Sequence, residues 1–225
     1  MEFLSAIFAI TVVVGLASVS AYPEGPPLSC CSHMFPVGHE VNAQTSTPTV
    51  TIKMKNSGGS DTTSYTAGEQ ITVTVETANP SDTTIYYEGL FVQARRANCM
   101  SHQKMQPVGT FSFEANNTYL KTLDCGSVSK SAVSQKVSVH QTSQTFTWTA
   151  PATTVGHVYF QATVVKNVSR FWTGVQSGFL YDAADTGNAT YCMVRKTTGG
   201  VGTIQAHGVL PLLGFIVFVA NVIGV

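Results

Sequence analysis

Apolar and polar side chains alternate with a period of two along most of the middle of this chain. The pattern runs through Val50 to Met54, Ile71 to Val75, Leu90 to Ala94, Phe111 to Phe113, Val137 to Val139, Phe146 to Trp148 and Val158 to Val164. Successive side chains of a strand point to opposite faces, so such runs of β-branched and aromatic residues predict half-buried strands. Turn chemistry separates them, in Asn56 to Ser60, Asn79 to Asp82, Asn116-Asn117 and Pro151 to Gly156. Between residues 22 and 200 no stretch repeats apolar residues at three and four while avoiding glycine and β-branched runs, so no amphipathic helix is expected. The class predicted is all-β, a β-sandwich of short strands.

Composition bounds the function. Twelve Lys and Arg balance 12 Asp and Glu, 44% of residues are hydrophobic and 11% are charged. That excludes a disordered chain and gives no field for nucleic acid. The two ends read as addresses. An apolar run from Phe3 to Val14 leads to the small residues Ala17 to Ala21, the layout of a signal peptide over 1–21 cut after Ala21, although Glu2 stands where a basic residue is usual. Residues 209–225 are apolar with no basic residue after them, and Gly199, Gly200 and Gly202 precede a polar stretch. Small site, spacer and tail are the layout of a glycosylphosphatidylinositol signal, with Thr198, Gly199 and Gly200 as the attachment candidates. The alternative is a single C-terminal membrane helix, for which 17 residues is short. Between these ends lie one domain over 22–182 and a polar spacer over 183–208.

Five cysteines, Cys30, Cys31, Cys99, Cys125 and Cys192, share the middle with sequons at Asn116, Asn167 and Asn188. With a signal peptide they predict oxidised cysteines and a glycan-bearing surface on the extracellular side. Four cysteines can pair in three ways, and five leave one over.

No enzyme motif is present. His39-Glu40 opens like a zincin helix, but Ala43 stands where the second histidine belongs. Asp182 and Asp185 fall in a loop, His140 and His157 have no nucleophile beside them, and no nucleophile elbow, P-loop or dinucleotide fingerprint occurs. Cys30, Cys31, His33 and His39 offer donors but no second pair completes a zinc tetrahedron, so neither metal nor cofactor is expected.

The order of the landmarks resembles a known family. Tyr22-Pro23-Glu24-Gly25, Cys31 to Pro36, His39 and Gln44 are followed by Tyr65, Gly68, Ile71 to Val75, Tyr87 to Arg95 and Pro107 to Phe111. Leu123-Asp124-Cys125, Ser131 to Val133, Phe146 to Pro151, Gly156 to Phe160, Ala162 to Val165 and Phe171-Trp172 continue the series. In this order they are similar to the reeler (reelin N-terminal) domain, over about residues 22–182, and look most like single-domain defence-type reelers and the reeler segment of ferric-chelate-reductase-like proteins.

The resemblance implies an immunoglobulin-like antiparallel β-sandwich of about eight or nine strands and a binding module without redox chemistry of its own. It implies a Cys31–Cys125 bridge. Relatives carry a further cysteine where His157 stands, so Cys99, in an inserted-looking loop, becomes the candidate partner of Cys192. Cys30 is then left over, free or available for a dimer. Trp148 shares a face with Phe146 and is expected in the core. Phe171 and Trp172 point to opposite faces, and Trp172 is the aromatic chosen for a ligand contact. Gly89 and Gly109 are expected where a side chain would obstruct the backbone. Arg95, Arg96 and Lys104, with His102, flank the Cys99 loop; by composition and family analogy they form an anion-binding rim, the alternative being a solvated loop. The function implied is innate-immune recognition of a microbial surface glycolipid or glycan, or of blood cells, at the cell surface or after release. The alternative is an adhesion module for a cell-surface or matrix protein.

Overall fold

The computed structural model describes residues 22–101 and 105–192. The signal-peptide, lipid-anchor and C-terminal-tail expectations, and Lys104 and His102 with them, lie outside the described residues. The described residues form eleven strands: β1 (Val50–Lys55), β2 (Ser64–Tyr65), β3 (Gln70–Thr77), β4 (Gly89–Arg96), β5 (Thr110–Ser112), β6 (Leu120–Cys125), β7 (Val128–Gln135), β8 (Ser143–Thr149), β9 (Val158–Asn167), β10 (Arg170–Gln176) and β11 (Tyr181–Asp182). Nine of them make two antiparallel sheets in the orders β1-β3-β8-β5 and β10-β9-β4-β7-β6, while β11 pairs with β2 in parallel. The only helices among the described residues are two short 3-10 turns, Leu28–Cys31 and Val37–His39.

Where one face of a strand is wet, the alternation is regular. In β1 Val50, Ile52 and Met54 are buried and Thr51, Lys53 and Lys55 exposed, and in β3 Ile71, Val73 and Val75 face inward opposite Trp148, Phe146 and Gln144 of β8. The facing sheet supplies Leu90, Val92, Phe160, Ala162 and Val164 to the same core. Trp148 is fully buried between them, edge-on to Tyr65 at 5.4 Å and to Phe160 at 5.6 Å, and its Nε1 donates to the Val108 carbonyl at 2.9 Å.

Gly109 sits directly under that indole with φ +69°. A Cβ there would press on Trp148 Nε1 and lie 2.6 Å from the Thr149 carbonyl. Left-handed strain and overpacking add, so Gly109→Ala is expected to destabilise the fold by about 3 kcal/mol, read as a lower urea midpoint. Gly89 has a similar reason to lack a side chain, since its Cβ would lie 2.8 Å from Val165 Cβ.

The second sheet is covered on its outer face as well. Residues 22–46 lie across it as a third layer, so β4 is buried on both faces almost throughout. Gln93 Nε2 donates to the Cys31 carbonyl at 3.1 Å, Thr163 Oγ1 donates to the Met34 carbonyl, and the Gln44 amide donates to the Phe171 carbonyl at 2.8 Å. A disulfide between Cys31 and Cys125 ties this layer to β6.

Val137 to Val139 is not a strand: both valines are exposed beyond the end of β7, and three alternating residues carry little periodic information. Residues 183–192 are not a free spacer. Ala183 and Thr190 donate their amides to the Tyr65 and Ala97 carbonyls at 2.9 and 2.8 Å, and Cys192 is bridged to Cys99.

Candidate functional site

The rim of the sandwich beyond the end of β4 is built by two segments that the Cys99–Cys192 bridge clamps together. The loop after Arg96 is held by the Ala97 amide donating to the His157 carbonyl at 2.7 Å. Opposite it, the chain after β11 is folded by its own carboxylates: Asp182 Oδ1 accepts from the Ala184 amide at 2.9 Å and Asp185 Oδ1 from the Gly187 amide at 2.8 Å. His157 joins the two. Its Nδ1 accepts the Asp182 amide at 3.0 Å, which places the ring proton on Nε2, where it donates to the Gly187 carbonyl at 2.9 Å. Both nitrogens are therefore spent on structure, not on catalysis.

Between the segments lies a cleft of about 380 Å³ walled by Asn98, Met100, His157, Asp185, Asn188 and Thr190. An aromatic group continues from His157. Tyr181 packs edge-on to the imidazole at 5.0 Å, Phe179 stacks on Tyr191 at 4.1 Å with 25° between the planes, and Tyr159 meets Tyr191 edge-on at 5.1 Å. Tyr181 and Tyr191 are 44% and 39% exposed, and the Tyr191 hydroxyl is anchored to the Ser177 carbonyl at 2.7 Å. Exposed aromatics fixed in place beside a polar cleft are a ready contact surface. Behind them Tyr65 Oη donates to the Gly156 carbonyl at 2.7 Å and to Asp182 Oδ2 at 3.2 Å; burial pushes its phenol well above the usual range.

The Reeler domain family model matches residues 29–187. The chain belongs to the reeler-domain family. Similar proteins include "Putative defense protein Hdd11" of Hyphantria cunea, 32% identical over 171 residues that cover 75% of this chain and 93% of that one. "Putative defense protein 3" of Antheraea mylitta is 33% identical over 177 residues, 76% and 92% of the two chains. "Putative ferric-chelate reductase 1" of Xenopus laevis is 30% identical over 161 residues, which make 71% of this chain but 24% of that one. The human F-spondin reeler domain superposes with a TM-score of 0.50 at 17% identity, over 68% of this chain and 99% of that structure, and shows the shared fold.

Within this reeler domain the expected anion-binding rim needs correction. Arg95 is 2% exposed, and its guanidinium donates to the carbonyls of Cys31 at 2.8 Å, Ser32 at 3.3 Å and Met105, holding the N-terminal layer against β4. Burial pulls its pKa down to about 10. Arg95 cannot meet a ligand; Arg96 is half-buried, and burial lowers its pKa as well. Trp172 is also withdrawn: it is 7% exposed, donating Nε1 to Ser46 Oγ at 3.3 Å. Phe171, on the opposite face, is covered by Phe35 and His39. The layer of residues 22–46 covers Arg95 and Phe171, whereas Trp172 points between the two sheets into the core that holds Leu90 and Val164.

Cys30 is the remaining free cysteine of the five and is 1% exposed, and burial pushes its thiol up. A dimer through Cys30 would require the first 3-10 turn to open, so the thiol does not serve as a surface bridge. Asn116, Asn167 and Asn188 are all exposed. Asn167 Oδ1 accepts from the Ser169 amide and hydroxyl at 3.1 and 3.0 Å, and Asn188 stands in the wall of the cleft. Among the described residues no three His, Cys, Asp or Glu side chains gather to hold a metal ion, and no helix is long and apolar enough to cross a membrane.

Proposed function

We propose that this reeler domain is an extracellular recognition protein of the defence type that binds microbial envelope glycans at the Cys99–Cys192 rim. The observation that carries the reading is the pairing of exposed, anchored aromatics with a cleft walled by amide, carboxylate and hydroxyl groups. A sugar ring presents an apolar C–H face and a polar edge, and this surface offers one partner for each. The names of the insect relatives support a defence role, and the two disulfides and three exposed sequons support an extracellular setting.

The test is binding of the purified protein to peptidoglycan, lipopolysaccharide and whole bacteria, with Tyr181→Ala/Tyr191→Ala alongside. The expected outcome is saturable binding that the double variant weakens at least tenfold. Moderate salt should change it little, because the cleft wall has no Lys or Arg among the described residues. An Asn188→Gln sample belongs in the series, since a glycan on Asn188 would stand at the mouth of the cleft. Absence of binding to every microbial surface, with and without that glycan, overturns the reading and leaves adhesion to a cell-surface or matrix protein.

A further inference from the structure

Met100 is 92% exposed and stands in the wall of the cleft, next along the chain to the Cys99–Cys192 bridge. Methionine ordinarily fills irregular gaps in a core, as the buried Met34 and Met54 do here, and Met105 is half-buried. A side chain so far into water adds almost nothing to packing, so the fold itself does not ask for a thioether at position 100. Its backbone is nevertheless held in place. The Met100 amide donates to Asn98 Oδ1 at 3.1 Å, the Ser101 amide to the Asn98 carbonyl at 3.3 Å, and Cys99 is pinned by its bridge. The thioether is therefore presented to solvent from a fixed point on the cleft.

Sulfur in this position is open to oxidation, and the other described sulfur atoms are not to the same degree. Cys31, Cys125, Cys99 and Cys192 are already spent in disulfides. Cys30 is buried, and burial pushes its thiol up, which leaves little of the reactive thiolate. A thioether needs no deprotonation, so its reactivity follows exposure alone.

We propose that Met100 is a reversible oxidation site that controls the cleft, a reading that rests on the glycan-binding function proposed above. The oxidant is a hydroperoxide, of which hydrogen peroxide is the simplest. The sulfur lone pair attacks one peroxide oxygen, the O–O bond breaks and an S–O bond forms. The proton carried onto that oxygen passes to the departing hydroxide, which leaves as water; sulfur gives up two electrons and the peroxide takes them. The sulfoxide is polar and chiral where the thioether was apolar, so the cleft loses an apolar contact for the C–H face of a sugar. Methionine sulfoxide reductase returns the thioether.

The test treats the purified full chain, both disulfides intact, with hydrogen peroxide and follows each methionine by peptide mass mapping. Met100 is expected to gain one oxygen roughly tenfold faster, or more, than the buried Met34 and Met54. Binding to insoluble peptidoglycan is measured before and after treatment. The affinity of the parent should fall about fivefold or more and return with the reductase, whereas Met100→Leu should keep through peroxide whatever affinity it starts from. Oxidation of Met34 and Met54 as fast as Met100 overturns the proposal. A parent that binds peptidoglycan equally well after treatment overturns it too and leaves the glycan reading standing. An untreated parent that binds no microbial surface removes the glycan reading and this control with it.

Discussion

Replacing Arg95 with alanine is expected to lower the free energy of unfolding by about 4 kcal/mol while leaving glycan binding by the folded fraction unchanged. The guanidinium is the hub through which the Cys31, Ser32 and Met105 carbonyls reach β4. Truncation takes the arginine donor from all three carbonyls, leaving the Cys31 carbonyl with Gln93 alone, and empties a volume that the layer of residues 22–46 cannot fill. Buried-polar loss and cavity formation each contribute a few kcal/mol, which together approach the whole margin of a domain this size. Urea denaturation followed by tryptophan fluorescence measures it, since Trp148 and Trp172 both become exposed on unfolding. A variant that keeps the parent's urea midpoint but loses binding would return Arg95 to the ligand.

The Cys31→Ser/Cys125→Ser variant is expected to lose about 4–5 kcal/mol. Its bridge spans a sequence separation of 94, and freeing a loop of that length restores roughly this much chain entropy to the unfolded state. The native side of the balance also suffers, because the bridge pins the layer whose Cys30 and Met34 pack with Phe91 and Ala132. Changing both cysteines together keeps an unpaired Cys125 from exchanging with Cys30. Equilibrium unfolding of parent and variant without reductant is the measurement. An unchanged midpoint would mean that Gln93, Arg95 and Thr163 hold the layer without help from the bridge.

How much of this was legible in the sequence varied with the faces of the strands. β1, β3 and β8 have one wet face, and their alternation shows directly in Val50 to Met54, Ile71 to Val75 and Phe146 to Trp148. β6 and β7 are harder to see, because Lys121, Thr122, Ser129 and Lys130 dilute the pattern. β4 was visible as a strand, but nothing in Leu90 to Arg96 announces that a distant segment will cover its second face. Arg95 therefore looked like a surface charge, and Trp172 was misjudged because its side of β10 turns into the core between the sheets. The loop around Cys99 drew notice for its basic residues, whereas the described wall of the cleft beside it is made of amide, carboxylate and hydroxyl groups. Phe179 and Tyr181 stand two apart, a strand spacing that could have flagged them. Tyr191 lay in what read as a spacer, and only Cys192 beside it hinted that the chain there returns to the body.

The two bridges interleave along the chain: Cys31 pairs past Cys99 to Cys125, and Cys99 pairs past Cys125 to Cys192. Under tension applied before Cys31 and after Cys192, the load therefore crosses both covalent links and runs through the stretch between Cys99 and Cys125. Even with every strand undone, that stretch can lengthen to only roughly 90 Å, at about 3.4 Å per residue. Most of the sandwich, β1 to β4 and β7 to β11, hangs on loops that carry no force. While its disulfides last, a molecule pulled between two surfaces behaves as a short, nearly inextensible strap.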